Sequence, residues 1–260
     1  KLGVFDFTFS LTKTYTFWSG LVGGAFLTMA SHGTDQTIVQ RLLAARSERD
    51  GRLALLASGV IIFVQFALFL VIGVMLYVWQ GAPVIVAGQS YDRVLPEFVV
   101  TQMPPGVAGL VLAAILAVAM SNASGSLNSL AASSVVDFSV LTGKEADAAR
   151  FLRLSRRMTL VWGAVLLVLG TLNWGPLLEA GLTIASITFG SLLGLFLLGR
   201  LNPRATARGA LAGMAAGLAV MLYVKFGTPL AWTWYVLVGT TATFGVGSVA
   251  SLIGSTDAHG

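Results

Sequence analysis

An all-α integral membrane protein with about seven transmembrane helices is the fold class that this 260-residue sequence predicts, and three observations carry the prediction. Composition is the first. Hydrophobic residues make up 56% of the chain, charged residues only 10%, and the mean hydropathy of +0.83 is far from that of a soluble domain. The second is a recurrence of uncharged runs at 14–34, 53–91, 101–136, 158–178, 180–199, 209–224 and 226–256. Most supply the roughly 20 apolar residues that a spanning helix needs, and 209–224 is marginal unless its flanks help. The third is charge placement. Arg41, Arg46, Arg49 and Arg52 follow the first run, Lys144, Arg150, Arg153, Arg156 and Arg157 the third, and Arg200, Arg204 and Arg208 the fifth, which is twelve of the sixteen basic residues. The remaining four, Lys1, Lys13, Arg93 and Lys225, lie on the other side. The positive-inside rule then puts the amino-terminal end outside and the carboxy terminus in the cytoplasm of a multi-pass plasma-membrane protein. Because topology accounts for the net charge of +5, nucleic acid is not among the expected partners; the lipid bilayer is. With no cysteine, a disulfide framework or a thiolate metal site is excluded.

Membrane helices are expected at 14–42, 53–79, 104–137, 158–174, 177–199, 208–225 and 229–254, forming a single transmembrane domain. The opening KLGVFDFTFSLTKTYTFW lacks an initiating methionine and reads as an extracellular loop in a piece of a longer protein, with Tyr15 and Trp18 suited to the membrane interface. The inner half of the first span is polar: Thr28, Ser31, His32, Thr34, Asp35 and Gln36 occur where lipid contact would cost several kcal/mol. Asp35 reads in two ways, as a functional intramembrane acid or as an interfacial residue paired with Arg41 or a later arginine. In the second span Gln65 is alone among apolar residues, a helix-to-helix hydrogen bond or a cavity residue. The connection over 80–106 is long enough for a lid or gate. Pro104 and Pro105 then open the third span, as proline does at helix amino ends. Glu179 opens the fifth span as a helix cap. Thr183, Ser186, Thr188, Gly190 and Ser191 follow it as a small polar patch. The last two spans, rich in Gly and Ala, read as scaffold.

The third span holds the densest polar stretch, VAMSNASGSLNSLAASSVVD over 118–137. At 3.6 residues per turn, Ser121, Asn122, Gly125, Asn128 and Ser129 share one stripe, with Ser124 at its edge. Uncharged oxygens with little bulk suit a small hard cation such as sodium. The same residues also suit close helix packing, and the stripe alone leaves both readings open.

Three segments in this order, GTDQTIVQRLLAARS at 33–47, the run from LPEFVV through SNASGSLNSLAASSVVD at 95–137, and FLLGRLNPRATARGALAGMAAG at 196–217, resemble the sodium:solute symporter family, which includes sodium/glucose, proline and sialic acid carriers. That resemblance implies the leucine-transporter-type fold, in which two inverted repeats of five helices enclose a midplane substrate site. This chain resembles the second repeat plus two further helices. The first inverted repeat is absent, and the missing amino-terminal helices of the same protein are expected partners. Carried over from the family, Val118 contributes a backbone carbonyl and Ser121 and Asn122 side-chain oxygens to a sodium site. Asn122 stands where Ser or Thr is usual. A second sodium position in some members matches Ser124 and Gly125, where the glycine removes a ligand, so one sodium per cycle is expected. Positions that read sugar in the sugar carriers fall at Thr28, Ser31 and Ile62 and do not keep that chemistry. Candidate substrate-cavity residues are Thr28, Ser31, His32, Gln65, Thr183 and Ser186, and Asp35, Gln36, Gln40 and Arg41 form the motif at the cytoplasmic end of the first span.

The expected function is sodium-coupled secondary active uptake of a small organic solute by alternating access, with Na+ as coupling ion and no enzymatic activity. The alternative is a symporter-like sensory domain of a signalling protein. An intramembrane enzyme built on His32 and Asp35 would lack a nucleophile, oxyanion donors and a metal-ligand set.

Overall fold

The computed structural model describes residues 5–82, 91–142, 148–172 and 175–254, and every regular element among them is helical. In chain order the α-helices are α1 (Gly24–Thr34), α2 (Gln36–Leu43), α3 (Glu48–Trp79), α4 (Val94–Gln102), α5 (Pro105–Thr142), α6 (Ala148–Gly170), α7 (Leu177–Leu201), α8 (Ala207–Gly227) and α9 (Tyr235–Gly254). A π-helical turn, Ser19–Gly23, precedes α1, and a 3-10 turn, Trp232–Trp234, precedes α9. Among the described residues five stretches are long and apolar enough to cross a membrane: Glu48–Trp79, Pro105–Val136, Leu177–Leu201, Ala207–Gly227 and Trp232–Ile253. The other two expected spans differ for physical reasons. The stretch 14–42 is divided at Asp35, and α6 begins well before residue 158, so that Arg153, Arg156 and Arg157 occupy its amino-terminal half.

The described chain forms two compact units, one made of residues 1–71 and 178–260 and the other of 72–177. In the first, glycines set the packing. A Cβ on Gly190 would come within 3.0 Å of the Gly239 backbone, joining α7 to α9. On Gly213 it would come within 2.6 Å of the Thr243 carbonyl oxygen and 2.9 Å of Gly247 Cα, joining α8 to α9. Backbones meet here without an intervening layer of side chains, the arrangement that small residues permit in membranes. The α1 helix adds Phe26, Leu27 and Ala30 to a cluster with Phe189, Leu193 and Leu197 of α7 and Val236 of α9.

Side chains tie the ends. Thr16 and Ser19 exchange bonds at the start of the first helix, each backbone N–H donating to the other's hydroxyl at 3.0 and 3.2 Å. Thr206 caps α8 by accepting from Gly209 N–H at 3.1 Å, while its own N–H donates to Ser251 Oγ of α9 at 3.1 Å. The amino-terminal segment is strapped to the α8–α9 connection: Ala231 N–H donates to the Leu11 carbonyl at 2.8 Å and Trp234 Nε1 to that of Ser10 at 3.3 Å. Tyr15 hydroxyl donates to Glu179 Oε1 at 2.6 Å. Glu179 does lie in the first turn of α7, but its carboxylate is held by this tyrosine; in the second unit it is Asp92 Oδ2 that accepts the Leu177 N–H, at 3.0 Å. Partial burial, followed by the bond to Glu179, pushes the Tyr15 phenol up to about 12.

Gly213→Ala should lower the stability of the purified protein by about 1–3 kcal/mol, because the added methyl meets backbone on α9 rather than a movable side chain. Gly245→Ala, where a Cβ meets nothing within 4 Å, should not lower it, and thermal unfolding of the two variants makes the comparison. For Tyr15, the raised folded value means that its stabilising contribution is fully present below the ordinary tyrosine value and is lost as pH rises toward about 12. Subtracting the tyrosinate titration of Tyr15→Phe from that of the unaltered protein should therefore leave one phenol ionising near 12.

Candidate functional site

Helix α5 runs for 38 residues, about 57 Å at 1.5 Å per residue, longer than the hydrocarbon core is thick. Between Pro105 and Thr142 its sequence has no proline, so the backbone ladder is unbroken and side-chain direction follows the 100° step. Val118, Ser121 and Asn122 at i, i+3 and i+4 therefore lie on one face, and all three are exposed, Val118 to 61%. Among the described residues neither Ser121 nor Asn122 has a side-chain hydrogen-bond partner. Ser134, on the same helix, behaves differently, donating its hydroxyl to the Leu130 carbonyl at 2.8 Å.

Neighbouring helix α6 lies against another side of α5. Trp162 Nε1 donates to Ser134 Oγ at 2.8 Å, and a Cβ on Gly163 would reach ordinary contact with Leu127. Met120, Ser124, Gly125 and Asn128 of α5 line an open pocket with Thr159 of α6. So part of the polar stripe, Ser124 and Asn128, turns toward α6, while Ser121 and Asn122 do not line that pocket.

The cavity candidates lie in the other compact unit. On α1, Ser31 donates to the Thr28 carbonyl at 3.1 Å, and His32 Nδ1 lies 3.1 Å from that oxygen and 3.0 Å from Ser31 Oγ. These three residues form one local cluster on the side of α1 away from Ala30, which is fully buried. Gln65 is exposed on α3. Thr183 and Ser186 are buried on α7, and by helical spacing they share the face of Leu193 and Leu197 that packs on α1 and α9. The structure therefore brings Thr28, Ser31 and His32 together and places Thr183 and Ser186 within the helix packing. Sequence reasoning put Ser191 in a small polar patch but missed the buried Thr243; both lie near the space that a Cβ on Gly217 would fill, and only the glycine spacing of α8 signals their close approach.

Asp35 has an extended backbone, φ −71° and ψ 116°, between α1 and α2. Its Oδ1 accepts the Ile38 N–H at 3.2 Å and its carbonyl accepts the Val39 N–H at 2.9 Å, the geometry of a helix amino cap. The break in the first span is thus a change of direction stabilised by a carboxylate at the positive end of α2. The side chains of Gln36, Gln40 and Arg41 lie outside the described residues. Among the described residues no group of three or more His, Cys, Asp or Glu could hold a metal ion.

The sodium:solute symporter family model matches residues 5–217. The human sodium/iodide cotransporter is 31% identical over 238 residues, covering 88% of this chain and 37% of that protein. The sodium/sialic acid symporter NanT of Aliivibrio fischeri is 30% identical over 233 residues, 87% of this chain and 46% of that one. A solved structure of a Na+-coupled sialic acid symporter in a substrate-bound, outward-open state superposes with a TM-score of 0.72 at 26% identity, covering 95% of this chain and 51% of that structure. The chain spans less than half the length of the two relatives it matches here.

Asp35→Ala should remove the cap and cost about 1 kcal/mol, whereas Asp35→Asn, which keeps an acceptor at the same reach, should retain most of it. Hydrogen exchange of the α2 amides in the two variants measures the difference.

Proposed function

Because the chain belongs to the sodium:solute symporter family, we propose that the protein carries out sodium-coupled uptake of a small organic solute, and that this chain supplies one face of its sodium site. One observation supports the assignment within the chain: Ser121 and Asn122 present unpartnered oxygens on an exposed face of α5, with the Val118 position one turn earlier. A sodium ion ligated there by the Val118 carbonyl, the Ser121 hydroxyl and the Asn122 amide oxygen would have half of its shell, and in this proposal the missing amino-terminal helices would supply the rest. Asn122 extends one bond further than the Ser or Thr usual in the family, which moves its oxygen along the ion path.

The family and its relatives are sodium-coupled transporters, and several apolar helices make this chain part of a multi-pass membrane protein. In our reading it lies in the plasma membrane with its carboxy terminus in the cytoplasm, since the arginine-rich connections fall on that side. Sodium arriving from outside stabilises the outward-open state through its differential affinity for that state, and the solute then binds a populated conformation. Inward movement of one charge through 100 mV releases about 2.3 kcal/mol, which drives solute uphill. Thr28, Ser31 and His32 are the cluster we assign to the solute, because His32 can both donate and accept toward a small polar molecule. Thr183 and Ser186, buried on α7, and Gln65, exposed on α3, are further polar candidates.

Ser121→Ala in the intact transporter should abolish sodium stimulation of uptake in proteoliposomes, and Asn122→Ser should retain it. Sodium activation unchanged in Ser121→Ala would remove the residue from the site.

A further inference from the structure

The proposed sodium ligands of α5 are exposed among the described residues, so the rotation of the helix about its axis is fixed from another side. Ser134 follows Val118, Ser121 and Asn122 by 16, 13 and 12 residues, which at 100° per residue puts it about 160°, 140° and 120° away from them. The bond from Trp162 Nε1 to Ser134 Oγ, 2.8 Å long, thus grips α5 from behind the proposed ligand face. The serine is ready to accept because its own proton is committed to the Leu130 carbonyl at 2.8 Å. An indole nitrogen can only donate, so the direction of the bond is fixed. One turn earlier on the α6 side, Thr159 borders the pocket with Ser124 and Asn128, and Gly163 leaves room for Leu127. Thr159, Trp162 and Gly163, at i, i+3 and i+4, form a single face of α6 against α5.

We propose that Trp162 is a positioning residue for sodium binding: its N–H, by holding Ser134, sets the rotation of α5 that turns Val118, Ser121 and Asn122 toward the ion. Rotating a helix by one residue's step would exchange one ligand for its neighbour, so a bond on the opposite side governs affinity without touching the ion. The inference rests on the sodium-site reading above.

The test uses the full-length transporter in proteoliposomes, measuring uptake against sodium concentration and, separately, against solute at saturating sodium. Trp162→Phe keeps the ring and loses the donor; Ser134→Ala loses the acceptor. Each should raise the half-saturating sodium concentration about three- to tenfold, the range expected from one interhelical hydrogen bond in a membrane, and leave half-saturation by solute unchanged. Ser134→Thr, which keeps the hydroxyl, should retain the original sodium dependence, and the double variant Trp162→Phe with Ser134→Ala should be no worse than either single one. Unaltered sodium half-saturation in Ser134→Ala, or equal shifts for sodium and solute, would overturn the proposal even if Trp162→Phe fails to fold. Uptake by the unaltered protein that does not depend on sodium would instead overturn the reading of the site itself.

Discussion

A backbone in hydrocarbon has no water to bond, and this requirement shapes every element of the chain. Long uninterrupted helices such as α3 and α5 satisfy it internally. Where a helix must end or turn, a side chain takes over: Thr16 and Ser19 before the first helix, Asp35 between α1 and α2, Asp92 at the start of α7, and Thr206 at the start of α8. These residues are spread over the whole chain, yet they do one job. The π-helical turn Ser19–Gly23 fits the same logic, since it lies where Gly23 approaches the Thr233 carbonyl so closely that no Cβ could be accommodated.

Five long apolar helices were legible because apolar runs have a length that lipid imposes, and the proline pair at 104–105 marked the start of α5. The polar stripe of α5 was also legible, since residue type and helical spacing suffice to put Ser121 and Asn122 on one face. What spacing could not supply is the partner of each face. It did not distinguish the part of the stripe that borders α6 at Thr159 from the part that stays open. Nor did it connect Tyr15 to Glu179 across 164 residues, because a carboxylate in a first helical turn already has a local explanation. Asp35 is an intermediate case: its position within a polar stretch was visible, but its role as a cap needed the backbone angle. The start of α6 was misplaced because arginines ended the apolar run without ending the helix.

Local bonding differs from helix to helix. Among the described residues Ser121 and Asn122 on the α5 face have no side-chain partner, whereas on α1 the Ser31 hydroxyl is spent on the Thr28 carbonyl and the Thr34 hydroxyl on that of Ala30; the buried hydroxyls of Ser186, Ser191 and Thr243, in the same unit as α1, are also without a partner. A group already hydrogen-bonded must exchange a partner to receive a ligand, which favours solutes that replace the lost bond over bare ions. An oxygen without a partner imposes no such exchange, which favours an ion.

The contact of α8 with α9 has a mechanical consequence. Helices separated by side chains can slide by small rotamer adjustments, which is how packed elements ordinarily shear. Gly213 against Thr243 and Gly247 leaves no such layer, only main chain on main chain. With so little freedom to slide, the two helices should move as one body, linking the 228–234 connection, where the amino-terminal segment is strapped on, to the far end by Thr206 and Ser251.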